Sequence, residues 1–415
     1  MKAYLSKQER NARVCTSLFP LWAIPFTFYM FYLSLYLKEA GVSDVQIGNI
    51  MVASNIAALV SSFVASPLVD RLGRKSATLF FDLMSSVLPA ILFLLWPVYE
   101  VALIAMALTG MNRIMSVGYY LLMIEDTSEE SCVISMSLFN VILVASGLLT
   151  PFAGMLVLRW GVVRIEEFFL LFAAISMTSQ ALIRHFLIKE TPTGAVVRQR
   201  MKEEGHFWTF SRFFGVYRTV YEDIKGEPAV LRAMMINALI YVYFSLGTTA
   251  SLLFTPFFID FIRISPSAVS LIGGVYSLGT LLAMLFISPR LKKANYYTFA
   301  VYAVLASLAG FVLLFFAPKG GLVLPLLAVS CISLAYGVLK TLADVVLAVE
   351  THGEHRSAFF ASSYLISSFL GIVFIKLTSM LYAKNPGWLL FVCGLLLGGV
   401  LVLSLKKGGQ KYGKL

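Results

Sequence analysis

Among the ionisable side chains that lie within long apolar stretches of the sequence, four are the clearest candidates for chemistry. Arg113 is near the middle of one stretch, Asp82 is a short way into another, and Lys340 and Asp344 share a third. An ionised group at the centre of a hydrocarbon layer costs roughly 2.5–3.5 kcal/mol, so each of these residues is a functional candidate. Lys340 and Asp344 are four residues apart, which places them on one helical face where they can pair.

Two kinds of chemistry follow from these charges. If Lys340 and Asp344 form a pair, Asp344 can carry a proton, because protonation of the carboxylate would release the lysine. Asp82 is a second candidate proton carrier. Alternatively, Arg113 and Lys340 together bind an anionic substrate, and Asp344 only neutralises one of them. A structural ion pair with a packing arginine is the third interpretation.

Aromatic and amide side chains extend the predicted substrate site. Six such residues fall on two helical faces: Tyr29, Tyr32 and Tyr36 beyond Pro25, and Asn237, Tyr241 and Phe244 farther along the chain. The amide is informative because a polar group in lipid needs a hydrogen-bond partner. Tyrosine is also common in helix packing and at membrane interfaces, so packing is the alternative for each of the tyrosines.

The composition indicates the elements that must position these residues. Of the 415 residues, 59% are hydrophobic and 13% are charged, which excludes a water-soluble protein. Twelve apolar runs are long enough to cross about 30 Å of hydrocarbon as helices. They are predicted at 14–37, 45–69, 77–97, 100–124, 131–158, 165–188, 229–259, 265–288, 296–317, 321–349, 356–383 and 386–406. The runs lack the alternation of a membrane barrel, so the predicted fold class is an all-α membrane protein with twelve transmembrane helices.

The distribution of lysine and arginine predicts the orientation. The connections on the side of the two termini, counted with the helix ends that adjoin them, carry 24 Lys and Arg residues, Arg184 among them, and the opposite connections carry six. The excess places both termini in the cytoplasm of a multi-pass protein of the cell (inner) membrane. The long connection at 189–228 is predicted to be a cytoplasmic linker between two six-helix bundles, 1–188 and 229–415. Its aromatic stretch at 207–221 is either an amphipathic helix on the membrane or a loop packed on the protein.

The two halves repeat weakly. Ser43 matches Ser265 and the Ser-Pro pair at 66–67 matches that at 288–289, both with a shift of 222 residues. Agreement between the offsets carries more weight than any single short match. Repeats of this kind predict a central cavity between the two bundles.

The short connection after the second span carries the family signal. It reads Asp70-Arg71-Leu72-Gly73-Arg74-Lys75, with Ser66 at the position of a leading glycine. The sequence from Asp70 onward resembles the signature of the major facilitator superfamily, and twelve spans with a long middle loop extend the resemblance over the chain. The resemblance implies that Asp70, Arg71, Gly73, Arg74 and Lys75 form a gating loop that latches the halves in the outward-facing state. Glu125 and Asp126 are the nearest carboxylate candidates in sequence. The alternative is a basic loop that only anchors the chain.

A second, partial motif lies in the fifth span. Residues 146–155 read Ser-Gly-Leu-Leu-Thr-Pro-Phe-Ala-Gly-Met, and they retain the proline and a following glycine of a motif found in proton-coupled exporters of that family. The match favours antiport. Small residues beside a proline also allow close packing and a bend, which is an equally good interpretation.

The predicted function is secondary active transport of a small organic molecule by alternating access. Proton-coupled export of amphipathic compounds is preferred, proton-linked uptake of a sugar or organic anion is the alternative, and a receptor or lipid scramblase is a remote third. The expected partners are the substrate, protons and the bilayer, with no nucleic acid, no cofactor and a monomeric chain. No enzymatic motif is present in the sequence. His352 and His355 could bind a metal, but a solvated loop collects such residues freely.

Overall fold

The computed structural model describes residues 9–125, 129–203, 228–249, 251–291, 295–350 and 356–405. Within these ranges every regular element is a helix, which confirms the predicted all-α class. Four predictions fall outside the described residues: Asp126, His352, His355 and the aromatic stretch at 207–221. The backbone of Asp344 lies in a helix, but its side chain is also outside the described part.

The first half of the chain contains eleven described α-helices. They are α1 (Arg10–Leu18), α2 (Pro20–Glu39), α3 (Asp44–Leu72), α4 (Arg74–Asp82), α5 (Leu88–Leu95), α6 (Tyr99–Gly110), α7 (Asn112–Ile124), α8 (Glu129–Ser146), α9 (Thr150–Trp160), α10 (Val162–Leu187) and α11 (Pro192–Glu203). The start of α3 is set by Ser43, whose side chain accepts from the Gln46 amide while the Gln46 side chain accepts from the Ser43 amide.

The second half contains seven described α-helices. They are α12 (Pro228–Gly247), α13 (Phe254–Asp260), α14 (Pro266–Leu282), α15 (Tyr296–Phe315), α16 (Val323–Glu350), α17 (Arg356–Lys384) and α18 (Trp388–Leu405).

Eleven helical segments of the described chain are long and apolar enough to cross a membrane. The remaining predicted span, 165–188, coincides with α10, which is 26 residues long. This helix carries charges towards both ends, among them Glu166 and Arg184. The predicted spans thus correspond to helices throughout, although several are broken into consecutive segments.

Two of the breaks have the same local cause. A π-helical segment at Leu83–Val87 separates α4 from α5, and another at Ala283–Ile287 follows α14. Each ends two residues before a proline, at Pro89 and Pro289. Proline has no amide hydrogen to donate to the carbonyl four residues earlier, so the regular hydrogen-bond ladder is interrupted there.

Contacts divide the chain into two compact units. Unit 1 comprises Met1–Thr209 together with Pro266–Gly274, and unit 2 comprises Phe210–Ser265 and Val275–Leu415. The buried core of unit 1 includes a cluster contributed by α1, α3, α4 and α7, with Cys15, Val69, Phe81 and Leu122 among its members. Burial of such side chains away from water and lipid fixes the rotation of each helix, and so decides which polar residues face inward.

Candidate functional site

A buried ion pair joins two helices inside unit 1. Arg184 of α10 donates from Nη2 to Oδ2 of Asp82 on α4 at 3.0 Å, and each residue is only 1% exposed. The same guanidinium donates to the carbonyl of Thr78 at 3.4 Å. Asp82 is a predicted proton candidate, whereas Arg184 was expected among the cytoplasmic cations. That expectation is wrong, because the Arg184 side chain is buried inside unit 1.

Further polar contacts hold Asp82 in place. Trp22 of α2 donates from its indole nitrogen to the hydroxyl of Ser86 at 3.0 Å, and that hydroxyl donates to Oδ1 of Asp82 at 3.2 Å. Ser86 lies in the π-helical segment that follows α4, so the widened backbone turn sets the position of its hydroxyl. Both carboxylate oxygens of Asp82 are thereby engaged, one by Arg184 and one by Ser86.

An aromatic ring packs against the guanidinium group of Arg184. The Arg184 guanidinium carbon lies 5.0 Å from the ring centroid of Tyr119, within the range of a cation–π contact. The Tyr119 hydroxyl donates to the carbonyl of Cys15 at 2.9 Å, which fixes the ring. The arginine is therefore held between a carboxylate and a π face, both of which favour its positive charge.

A cavity of about 50 Å³ adjoins this ion pair. Its lining combines aromatic rings with polar groups from five helices and the residue that precedes α2: Phe19, Trp22, Asp82, Asn112, Met115, Ser116, Tyr119, Tyr120, Phe139, Gln180 and Arg184. The Phe19 and Phe139 rings stack at 4.0 Å between centroids on one wall. An apolar wall with a few convergent polar groups is the usual composition of a small-molecule site, but sites for drug-sized ligands are roughly 300–1,000 Å³, so this cavity must widen before it can hold such a molecule.

Two buried polar atoms of the cavity lining have no partner among the described residues. They are Oε1 of Gln180, an acceptor, and Nε of Arg184, a donor. A buried polar atom without a hydrogen bond costs about 1–3 kcal/mol, so a ligand that satisfied both would gain affinity. Neither residue is among those predicted from the sequence. Their signal was a four-residue spacing on one face of the sixth span.

The three tyrosines of α2 are packed inside unit 1. Tyr29, Tyr32 and Tyr36 are 0%, 0% and 3% exposed. Tyr32 donates to the carbonyl of Pro266 at 3.1 Å, and Tyr36 donates to the carbonyl of Phe93 at 3.4 Å. The three tyrosines share one face of α2, as predicted, and in this structure that face is buried within the protein.

Asn237 connects three helices of unit 2. Its Nδ2 donates to the carbonyl of Ala343 on α16, and its Oδ1 accepts from the hydroxyl of Ser363 on α17 at 3.0 Å. The amide is 4% exposed. The partner that an amide in lipid requires is thus supplied by neighbouring helices.

The other predicted residues of unit 2 form an aromatic group beside a cation. Lys340 Nζ lies 5.5 Å from the ring centroid of Tyr241. Tyr241 contacts Phe244 with centroids 5.8 Å apart, and Phe244 contacts Tyr336 at 4.6 Å. Arg113 belongs to unit 1, where it is exposed on α7 next to the cavity residue Asn112.

The predicted gating loop is held by a compact set of ionic contacts. Arg74 donates to Oδ1 of Asp70 at 2.7 Å and, through Nε and Nη2, to both carboxylate oxygens of Glu125 at 3.2 Å. Ser66, which stands where the family signature has glycine, donates to Oδ2 of Asp70 at 3.3 Å. The bidentate pair explains why an arginine is suited to position 74. Arg71 is exposed.

The sequence analysis missed a second carboxylate at this loop. Glu190, just after α10, accepts from the backbone amides of Arg74 and Lys75 at 2.9 and 3.1 Å, and so caps the start of α4. Gly73 has φ +86°, and a Cβ there would lie 2.7 Å from Glu190 Oε2. Glycine is therefore required both by the backbone conformation and by the approach of the cap.

The small residues of the partial export motif mark a close helix contact. The Thr150 hydroxyl donates to the carbonyl of Ser270 at 3.1 Å, and a Cβ on Gly154 would collide with the Ser270 side chain and lie 2.6 Å from the Ser267 carbonyl. All these residues belong to unit 1. Close packing is thus one role of this motif.

The sequence matches a known family over most of its length. Residues 21–376 match the Major Facilitator Superfamily. The chain belongs to this superfamily. This major facilitator protein is therefore a multi-pass membrane transporter for a small molecule and not an enzyme. Among curated proteins, no sequence match is significant.

Solved structures show the same fold at low sequence identity. The xylose transporter XylE from E. coli, in a partially occluded inward open conformation, has a TM-score of 0.69 at 13% identity, with 98% of this chain and 100% of that chain covered. A POT family transporter in complex with a thioalcohol-conjugated peptide has a TM-score of 0.70 at 12% identity, with 97% and 98% covered. A nucleoside transporter, NupG, has a TM-score of 0.69 at 16% identity, with 95% and 97% covered. These identities establish the fold alone.

Proposed function

We propose that this major facilitator protein is a proton-coupled exporter of small amphipathic organic molecules that acts as a monomer. The observation that carries the proposal is the unit 1 cavity, in which aromatic walls adjoin the buried Asp82–Arg184 pair. The aromatic rings suit the apolar part of a substrate. The unpartnered atoms of Gln180 and Arg184 offer one acceptor and one donor to its polar part.

Proton coupling is assigned to Asp82. While the carboxylate is ionised, it pairs with Arg184 at 3.0 Å and holds α4 to α10. Protonation would remove most of the ionic attraction between Asp82 and Arg184. A cationic or hydrogen-bond donor group of the substrate would interact with the ionised carboxylate and not with the neutral acid, so the proton and the substrate would compete for Asp82, which is the coupling that antiport requires.

The remaining predicted residues take secondary roles in the proposal. Arg113, Lys340, Tyr241 and Phe244 are proposed to contact the substrate at other points of its path. Asp344 is the alternative proton carrier, as the sequence analysis inferred. The Asp70 and Arg74 cluster is proposed as a gating latch, because its contacts tie the loop at 70–75 to Glu125 and Glu190.

The alternative function is proton-linked uptake of a sugar or organic anion. The cations at Arg113 and Lys340 favour this alternative for an anion. It predicts accumulation of solute in right-side-out vesicles with an acidic exterior. The exporter predicts the opposite direction.

Everted membrane vesicles containing the protein test the proposal directly. An acidic interior is generated by respiration and followed with acridine orange, and a panel of amphipathic aromatic compounds, including ethidium and tetraphenylphosphonium, is then added. We expect at least one compound to dissipate the gradient in vesicles with the wild-type protein and not in vesicles without it. Xylose and organic acids in right-side-out vesicles test the alternative.

Variants distinguish the two proton candidates. Asp82→Asn should abolish the response, whereas Asp344→Asn should leave it if Asp82 is the carrier. Asp44→Asn is the matched control, since Asp44 is a partly exposed acid of the same unit that pairs with Lys38 at 3.1 Å. An undiminished response from Asp82→Asn would remove Asp82 from the mechanism.

A further inference from the structure

A second acid is buried in unit 1, and no residue of the described chain compensates its charge. Glu166, on α10, is 0% exposed, and neither of its carboxylate oxygens has a hydrogen-bond partner among the described residues. Its neighbours in sequence, Arg164 and Glu167, are exposed on the other face of the helix. Glu166 thus faces the bundle while the charges beside it face outward.

The groups that face Glu166 come from α2. Tyr29 and Tyr32 lie close enough to interact electrostatically with it, and Tyr36 lies near both Glu167 and Glu166. The contact between Phe28 and Phe169, with ring centroids 5.0 Å apart, shows that α2 and α10 are packed together at this level. The Tyr29 hydroxyl is also fully buried and, within the described chain, has no hydrogen-bond partner.

Within the described ranges, the other elements packed on α10 provide no counter-charge at this level. The segment from Leu83 to Leu95 contains no ionisable residue. On α9, Arg159 is exposed and lies over the Trp160 ring, 4.9 Å from its centroid. Arg184 is 18 residues farther along α10, or about 27 Å at 1.5 Å per residue, which is too far to compensate Glu166. Its charge is paired with Asp82.

An isolated carboxylate in such surroundings is far costlier than the neutral acid. Desolvation of an ionised carboxyl group without a partner costs several kcal/mol even after relaxation, whereas a neutral acid loses only its hydrogen bonds with water. The packing therefore favours the proton-bound form of Glu166. The side chain can ionise when the α2–α10 contact opens and water reaches it.

We propose that Glu166 is a proton-binding site of this transporter, loaded from the side opposite the predicted cytoplasmic face and separate from Asp82. Glu166 lies five residues into α10, at the end of the helix predicted to face outward. In the buried state Glu166 holds a proton, and exposure of the side chain releases it to water. The role in coupling rests on the proposed proton-driven function, but the protonation does not.

Infrared spectroscopy of the purified full-length protein in lipid tests the protonation without any substrate. A neutral carboxylic acid has a carbonyl stretch that an ionised carboxylate lacks. We expect the wild-type protein to show such a band at neutral pH, Glu166→Gln to lose it, and the matched control Glu167→Gln to retain it. A spectrum without a difference between wild type and Glu166→Gln would overturn the proposal.

The vesicle assay tests the role in coupling. The assay uses a compound that dissipates the pH gradient with the wild-type protein. With this compound, proton release by Glu166→Gln should be at least tenfold slower than by the wild type. The variant should still equilibrate the compound when no gradient is present. Glu166→Asp should recover part of the rate, and Glu167→Gln should match the wild type. Proton release by Glu166→Gln at the wild-type rate would refute the coupling role. If no compound acts on the wild type, the proposed function fails, and the infrared result still decides the protonation of Glu166.

Discussion

Arg184 and Asp82 are 102 residues apart in sequence, yet their side chains form a 3.0 Å ion pair that is almost completely buried. The pair joins α10 to α4 and forms part of the wall of the unit 1 cavity. Neither charge has bulk water to stabilise it, so each depends on the other. This mutual dependence makes the pair both a structural link and a site that a proton or a ligand can disturb.

Removal of one partner should destabilise the protein strongly. Asp82→Ala leaves the Arg184 charge buried with a peptide carbonyl and the Tyr119 ring as its remaining contacts, and we expect a loss of about 3–5 kcal/mol in the free energy of unfolding. The double variant with Arg184→Leu should lose less than the sum of the two single variants, because it removes both charges. Unfolding titrations in mixed micelles measure the four proteins of this cycle. Strict additivity would show that the two residues do not interact.

Of the two arginines in the predicted gating loop, Arg74 should contribute more to the stability of the protein than Arg71. Arg74→Ala removes the charged hydrogen bonds to Asp70 and Glu125, and a loss of about 1.5–3 kcal/mol of stability is expected. Arg71→Ala is the control, since Arg71 is an exposed arginine of the same loop, three positions before Arg74. Thermal unfolding in detergent gives the comparison. Equal shifts for the two variants would contradict the special role of position 74.

The close helix contact at Gly154 should not tolerate even one methyl group. A Cβ at this position would collide with the Ser270 side chain and approach the Ser267 carbonyl to 2.6 Å, so Gly154→Ala should cost about 1–3 kcal/mol through overpacking. Gly398→Ala is the matched control, because a Cβ there meets nothing within 4 Å. That control should be neutral or gain up to about 1 kcal/mol of stability from improved helix propensity. Equal melting temperatures for the two variants would disprove the close contact.

Substitution of Asn237 should lower the stability of the protein more than its affinity for substrate. Asn237→Ala leaves the Ala343 carbonyl and the Ser363 hydroxyl without their partner, which should cost about 1–3 kcal/mol. Once a transported compound is known, its half-saturating concentration should change little in this variant. Tyr241→Ala provides the comparison, since Tyr241 belongs to the proposed substrate path. A large change in half-saturation for Asn237→Ala with unchanged melting would restore the substrate-binding interpretation.

The sequence alone determined the membrane class, the positions of the spans and the family. These follow from properties that are local along the chain: the length of each apolar run and the spacing of the motif from Asp70 to Lys75. Hydrocarbon forces each run to satisfy its backbone hydrogen bonds as a helix, so no knowledge of neighbouring helices is needed. The loop from Asp70 to Lys75 could be proposed as a gating loop for the same reason, because its residues are consecutive.

Only the tertiary structure decided which side chains meet. Glu190 caps a helix that begins at Arg74, and Arg184 pairs with Asp82, across separations that no local pattern encodes. The burial of Glu166 beside charged neighbours that point outward depends on the rotation of α10 about its axis. That rotation is set by how all the neighbouring helices pack together, which is a collective property of the fold and leaves little trace in the hydropathy of any one segment.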